Sequence, residues 1–108
     1  MESMQVDDLV EQLNEADEPS MEALRTAAMS VDVYSFEPGA EDPMHSHGED
    51  EVYYVVSGSG SLNIEGDYQS VEEGDLIYVE PGTEHQFTDF EDELVMVVFY
   101  APPHGSQS

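Results

Sequence analysis

Apolar residues change their period once along this chain. Val6, Leu9, Val10 and Leu13 recur at helical spacing. They predict one short helix from Val6 to about Asp17, opened by Asp7 and Asp8 and closed by Glu18-Pro19. Ser20 to Ala28 stays open: its Ala and Leu content favours helix, and a strand feeding the next one is the alternative. From Met29 the spacing shortens to two. Met29, Val31 and Val33 alternate with Ser30, Asp32 and Tyr34, the pattern of a half-buried strand. Turn signals then recur at Pro38-Gly39, Gly58-Ser59-Gly60, Glu65-Gly66-Asp67, Glu73-Gly74-Asp75 and Pro81-Gly82. Between them lie short strands over roughly 51–57, 61–65, 68–71, 76–80, 85–90 and 94–100. Many short strands joined by tight turns predict an all-β sandwich or barrel. The expected organisation is a helix and lead-in over 1–28, a barrel over 29–101 and a loose tail over 102–108.

Length and charge narrow this picture. At 108 residues the chain has room for one core. It carries 26 Asp plus Glu against a single Arg and no Lys, a formal charge of −25. Its β-branched and aromatic runs, with 39% hydrophobic residues overall, set it apart from an acidic disordered chain. The expectation is a folded protein with a salt-adapted, halophilic surface, since high salt screens repulsion between like charges. Without clustered Lys and Arg the chain has nothing to grip a phosphate backbone, so nucleic acid is excluded as a partner, as are anionic membrane surfaces. The longest apolar run, Leu94 to Ala101, is too short to span a bilayer. Met1 to Asp8 carries acids where a signal peptide needs a positive start, and Cys is absent. The expected location is cytoplasmic.

Three of the four histidines fall where they can meet. His45 and His47 are one residue apart, so on an extended segment both imidazoles face the same way. Glu51 follows closely, and His85 comes after a Pro-Gly turn, where a neighbouring antiparallel strand can present it. Three imidazoles and a carboxylate suit one divalent ion of Fe, Mn, Ni, Co or Zn, with positions left open. Taken alone, the His-Ser-His pair is equally compatible with an accident of an acidic surface loop.

The spacing around these residues resembles the two signature motifs of the cupin superfamily. The first is Gly, five residues, His, one, His, three or four, Glu, six, Gly; Gly39, His45, His47, Glu51 and Gly58 fill every fixed position. The second is Gly, five residues, Pro, one, Gly, two, His, three, Asn; Gly74, Gly82 and His85 fit it. Two positions depart: Glu80 stands for the Pro, with Pro81 beside it, and Asp89 replaces the Asn. The resemblance covers roughly Met29 to Ala101. It implies a double-stranded β-helix, or jelly-roll barrel, behind a short N-terminal helix, with the metal on His45, His47, Glu51 and His85.

In such a barrel the ligands point into a cavity, and residues two apart share a face. Tyr53 and Val55 beyond Glu51, and Phe87 beyond His85, are therefore the expected pocket lining. Tyr53 and Glu51 are the candidates for a direct part in chemistry. Tyr34 and Tyr78 read as structural, the acidic clusters such as Glu49-Asp50 as solvated surface, and His104 as exposed and idle. Because Arg25 is the only fixed cation, the pocket favours a small neutral or weakly acidic, oxygen-rich molecule of enol or catechol type. Three function classes follow: a metal-dependent, dioxygenase-like enzyme; a non-redox isomerase or lyase; and a non-catalytic cupin that binds a small ligand. A homodimer is expected, because Tyr34 and Phe36 lie opposite Met29, Val31 and Val33 and give the strand a second apolar face. The competing arrangement has the helix of residues 6–17 fold back over that surface.

The charge reading yields a first prediction. Lowering salt from molar to ~0.1 M, where the Debye length reaches about 10 Å, lowers the thermal midpoint of the metal-free protein. A midpoint that stays flat across that range would show that carboxylate repulsion does not limit this fold.

Overall fold

The computed structural model describes residues 1–40, 42, 48–90 and 92–105. One helix, α1 (Val6–Ala16), precedes eight strands: β1 (Ser20–Arg25), β2 (Ser30–Phe36), β3 (Asp50–Ser57), β4 (Ser59–Ile64), β5 (Asp67–Glu72), β6 (Leu76–Val79), β7 (His85–Thr88) and β8 (Leu94–Ala101). Among the described residues no helix is long and apolar enough to cross a membrane.

The helix forms where the apolar spacing places it. Asp7 and Asp8 sit in its first turn, where carboxylates favour the positive end of the helix dipole. At the other end Asp17 turns left-handed, and the N–H groups of Asp17 and Glu18 return to the carbonyls of Asn14 and Leu13. Pro19 then prevents continuation. The open segment 20–28 is a strand. β1 pairs antiparallel with β2, with a bulge between Glu22 and Leu24. Thr26 closes the hairpin by accepting the N–H groups of Ala28 and Met29 on its hydroxyl.

The strands form two antiparallel sheets, one ordered β1-β2-β8-β3-β6 and one ordered β5-β4-β7. The core lies between them. Val55, Leu94, Met96 and Val98 of the larger sheet face Leu62, Val71 and Phe87 of the smaller, all at most 2% exposed. Gly58 carries the chain from one sheet to the other at φ +90, and a Cβ there would stand 2.4 Å from the Glu93 carbonyl oxygen. Both the left-handed backbone and the close approach exclude any side chain.

On β2 the structure reverses the expected faces. Register with β8 pairs Asp32 with Val98, Tyr34 with Met96 and Phe36 with Leu94, all inner-face positions. Ser30, Asp32, Tyr34 and Phe36 therefore point into the barrel, and Val31 and Val33 lie on the outer face, which α1 packs against. Tyr34 and Phe36 thus pack in the core instead of on an outer surface, and the helix lies over the opposite face, that of Val31 and Val33. The large exposed apolar side chains of this sheet are Tyr54, Leu76, Tyr78 and Phe99, on the outer faces of β3, β6 and β8.

Residues 102–105 are held, contrary to the loose tail expected. The His104 N–H donates to Ser30 Oγ at 2.8 Å and the Gly105 N–H to Glu49 Oε1 at 3.0 Å. The Arg25 guanidinium reaches the His104 carbonyl at 3.3 Å. The His104 ring stacks on Tyr100 at 4.2 Å and 8°. His104 is therefore far from idle. Glu49, 1% exposed, is likewise a buried anchor rather than solvated surface. A tail with no periodicity gives no hint of such long-range contacts.

Two predictions follow from these positions. Gly58→Ala destabilises the domain by about 2 kcal/mol or more, read from denaturant unfolding, because it adds both backbone strain and a clash. The second concerns Asp32, which is 7% exposed and whose Oδ1 has no hydrogen-bond partner among the described residues. Burial raises its carboxyl above the usual range, a shift that His104 opposes and Glu22 reinforces. The folded state then holds this proton more tightly than the unfolded chain. Asp32 therefore favours folding below the ordinary carboxyl range and loses that contribution as pH rises through its raised value. Asp32→Asn removes this dependence, so the variant gains stability relative to the wild type between pH 4 and pH 7. A difference that does not change with pH would contradict the assignment.

Candidate functional site

Glu51 and His85 face one another from opposite sheets. Alternation on β3 turns Glu51, Tyr53 and Val55 inward, each at most 3% exposed, and alternation on β7 does the same for His85 and Phe87. The His85 Nε2 lies 3.2 Å from Glu51 Oε1. The Tyr53 hydroxyl stands between them, 2.6 Å from Glu51 Oε2 and 2.9 Å from His85 Nε2. The pocket-lining residues expected from spacing are thus all buried, and Tyr53 touches both Glu51 and His85. His45 and His47 lie outside the described residues.

The orientation of the imidazole is set from behind. His85 Nδ1 is 2.8 Å from the Thr83 carbonyl, which can only accept, so Nδ1 carries a proton and Nε2 is the atom offered to the site. Burial alone pulls the His85 pKa down. Hydrogen bonds to Glu51 and Thr83, with the negative charges of Glu51 and Asp42, outweigh it, and the net direction is upward. In the absence of another cation the pair therefore favours imidazolium against carboxylate. Burial, reinforced by the adjacent Glu51 carboxylate, raises the Tyr53 phenol well above its ordinary value and keeps it a donor.

More phenols line the same interior. Tyr34 and Tyr100 share a hydroxyl–hydroxyl contact of 3.2 Å. Burial pushes Tyr34 up to about 12, against the opposing Tyr100 hydrogen bond, and burial also moves Tyr100 upward. Tyr78, by contrast, is exposed and donates to Asp50. Arg25 does not enter this space. It is exposed, 2.7 Å from Glu22 Oε1, and is committed to the C-terminal strap.

Asp42 is held against β7. It is buried, its Oδ2 accepts the Phe87 N–H at 2.8 Å, and its carbonyl accepts from Gln86 Nε2 at 2.7 Å. Asp42, three residues before His45 in sequence, is thereby docked on β7, an edge strand of its sheet among the described residues. Asp89, in the position of the motif's Asn, ends β7 with φ 55, a conformation that Asp and Asn tolerate better than most residues. Reading the sequence alone missed Asp32, Asp42 and the Thr83 carbonyl. For Asp32 the available signal was an acid set among apolar strand positions. A backbone carbonyl leaves no signal at all.

Comparison with known proteins agrees with this architecture. A cupin domain model matches residues 32–100. An uncharacterised protein of Streptomyces coelicolor is 31% identical over 105 residues, covering 97% of this chain and 100% of that one. Acireductone dioxygenase of Exiguobacterium sibiricum is 44% identical over 59 residues, covering 50% of this chain and 33% of the enzyme. The chain therefore matches about a third of that enzyme's length. Among solved structures, a protein with a double-stranded β-helix domain from Klebsiella pneumoniae aligns with 100% of this chain and 94% of its own. Its TM-score is 0.82 at 22% identity. KdgF from a Halomonas species aligns with 80% of this chain and 79% of its own, at TM-score 0.73 and 22% identity. At such identities the structural likeness speaks for the fold alone. The two inward-facing sheets and the domain match over 32–100 lead to one conclusion: this chain belongs to the cupin family.

Proposed function

We propose that the protein holds one divalent metal ion, of Fe, Mn, Ni, Co or Zn, on His45, His47, Glu51 and His85. We further propose that it acts as a dioxygenase-like enzyme on a small, neutral or weakly acidic, oxygen-rich molecule. The observation that carries this reading is the buried approach of Glu51 Oε1 to His85 Nε2 at 3.2 Å. Donors about 2.1 Å from a common ion and near right angles to one another stand about 3 Å apart, so the pair fits one ion. The donor chemistry fits as well. Imidazole nitrogen and carboxylate oxygen suit these metals, and the Nδ1 contact to a backbone carbonyl is the support that metal-bound histidines ordinarily have.

When bound, such an ion supplies Lewis acidity and, if redox-active, a place where an oxygen-rich ligand and O₂ meet. The chain's own residues do the rest. Thr83 fixes the His85 ring, Tyr53 fixes Glu51, and Val55, Phe87 and Val98 keep bulk water from the inner wall. Glu51, Asp32 and Asp42 give the interior a negative character, and Arg25 is turned outward. A strongly anionic substrate would meet repulsion there, so a neutral enol or catechol is favoured. The partial similarity to acireductone dioxygenases supports the oxygenase class over a non-redox one.

Elemental analysis of protein purified anaerobically, combined with oxygen uptake, tests the proposal. The wild type carries about one ion per chain. His85→Ala and Glu51→Ala retain their fold by circular dichroism but lose metal affinity by at least the roughly 10–100-fold seen when a group that merely hydrogen-bonds a ligand is removed. Iron-loaded wild type consumes O₂ with a catechol or reductone probe. Full metal occupancy in His85→Ala would rule out the site, and occupancy without O₂ consumption would rule out the oxygenase reading.

A further inference from the structure

The two carboxylate oxygens of Glu51 have different neighbours. Oε1 lies 3.2 Å from His85 Nε2, and Oε2 lies 2.6 Å from the Tyr53 hydroxyl. A phenol has one proton to give, and proton positions around it follow from the partners. The Thr83 carbonyl takes the proton on His85 Nδ1. His85 Nε2 lies 2.9 Å from the phenol oxygen. The Tyr53 hydroxyl donates its proton to Oε2, and the 2.6 Å distance is that of a hydroxyl donating to a carboxylate.

The ring that carries the hydroxyl has little freedom. Tyr53 is 3% exposed and meets His85 edge-on at 5.9 Å and Phe87 at 4.9 Å, with interplanar angles of 72° and 73°. Its place on β3, two residues from Glu51, gives both side chains the same inner face. The hydroxyl is therefore held against Oε2 by packing that does not depend on the hydrogen bond itself.

We infer that Tyr53 is a positioning residue of the site, which holds Glu51 Oε2 by its hydroxyl and thereby turns Oε1 toward His85 Nε2. The inference rests on the metal-binding reading above and specifies how Glu51 takes part in it. A carboxylate confined to one oxygen takes one position on an ion instead of two. That leaves a further position for an oxygen-bearing ligand. Tyr53→Phe fills the same space and removes the donor that holds Oε2.

Anaerobic titration of the metal-free protein with Co(II), followed by visible absorption, tests this. The wild type binds one Co(II) per chain. Tyr53→Phe keeps the ring packing, weakens Co(II) binding 10–100-fold, and changes the intensity and position of the absorption bands. Tyr54→Phe, which removes an exposed phenol from the next residue of the same strand, leaves both unchanged. An affinity within twofold of wild type and a superimposable spectrum in Tyr53→Phe would overturn the inference while leaving the metal site intact. No Co(II) binding by the wild type would overturn the metal reading and this inference together. Should Tyr53→Phe fail to fold, the infrared difference spectrum of Co(II)-loaded minus metal-free wild type decides. A wide separation of the carboxylate stretches supports one-oxygen binding, and a narrow one overturns it.

Discussion

The fold is organised around a buried carboxylate facing a buried imidazole across the gap between two sheets. Placing such a pair in a protein interior costs several kcal/mol per ion before compensation, so its neighbours must return most of that cost. They do so at each polar atom: Thr83 behind the ring, Tyr53 on the second carboxylate oxygen, and the attraction of the pair itself. Packing supplies the remainder. A sandwich of this size needed only apolar inner faces to be stable, and Val55, Met96, Val98, Leu62 and Phe87 would suffice for that. Polar groups kept in such a place at such a cost are the mark of a site.

The same logic explains where sequence patterning succeeds and where it misleads. On β3 and β7 each polar site residue sits in register with apolar neighbours, so alternation places Glu51 with Tyr53 and Val55, and His85 with Phe87, on the correct faces. The turns carry equally local signals, and the strand boundaries follow them within a few residues. β2 fails the test because its inner face carries Ser30, Asp32 and Tyr34, and its outer face carries the valines. The rule that the more apolar face is the core assumes that only one face is buried. Here α1 packs against the other, and the inner face of β2 lines the polar part of an otherwise apolar interior. Contacts made by the backbone, such as Thr83 to His85, or by distant segments, such as His104 to Tyr100, have no local pattern to betray them.

The charge of the molecule has two parts that behave differently. Most of the 26 carboxylates are exposed and act collectively, through a field that salt screens. Asp32, Asp42, Glu49 and Glu51 are buried and act individually, through named partners that salt hardly reaches. Asp42 and Glu49 serve as backbone acceptors that dock one segment onto β7 and another onto the C-terminal residues. Acidity here is both a surface property and a set of internal fasteners.

The fastening of residues 102–105 carries a mechanical consequence. Ser30, Arg25 and Glu49 grip this short stretch from three separate elements, and its histidine caps the ring of Tyr100. Tyr100 is paired in register with Glu51, and Glu49 lies two residues upstream of it. A displacement of residues 102–105 is therefore passed to Glu49 and Tyr100, which flank that carboxylate. Among the described residues, 1–5 are exposed, lie ahead of α1 and make no such connection. An affinity handle or surface tether attached at that end leaves the chamber undisturbed, and one attached at the opposite end pulls on its frame.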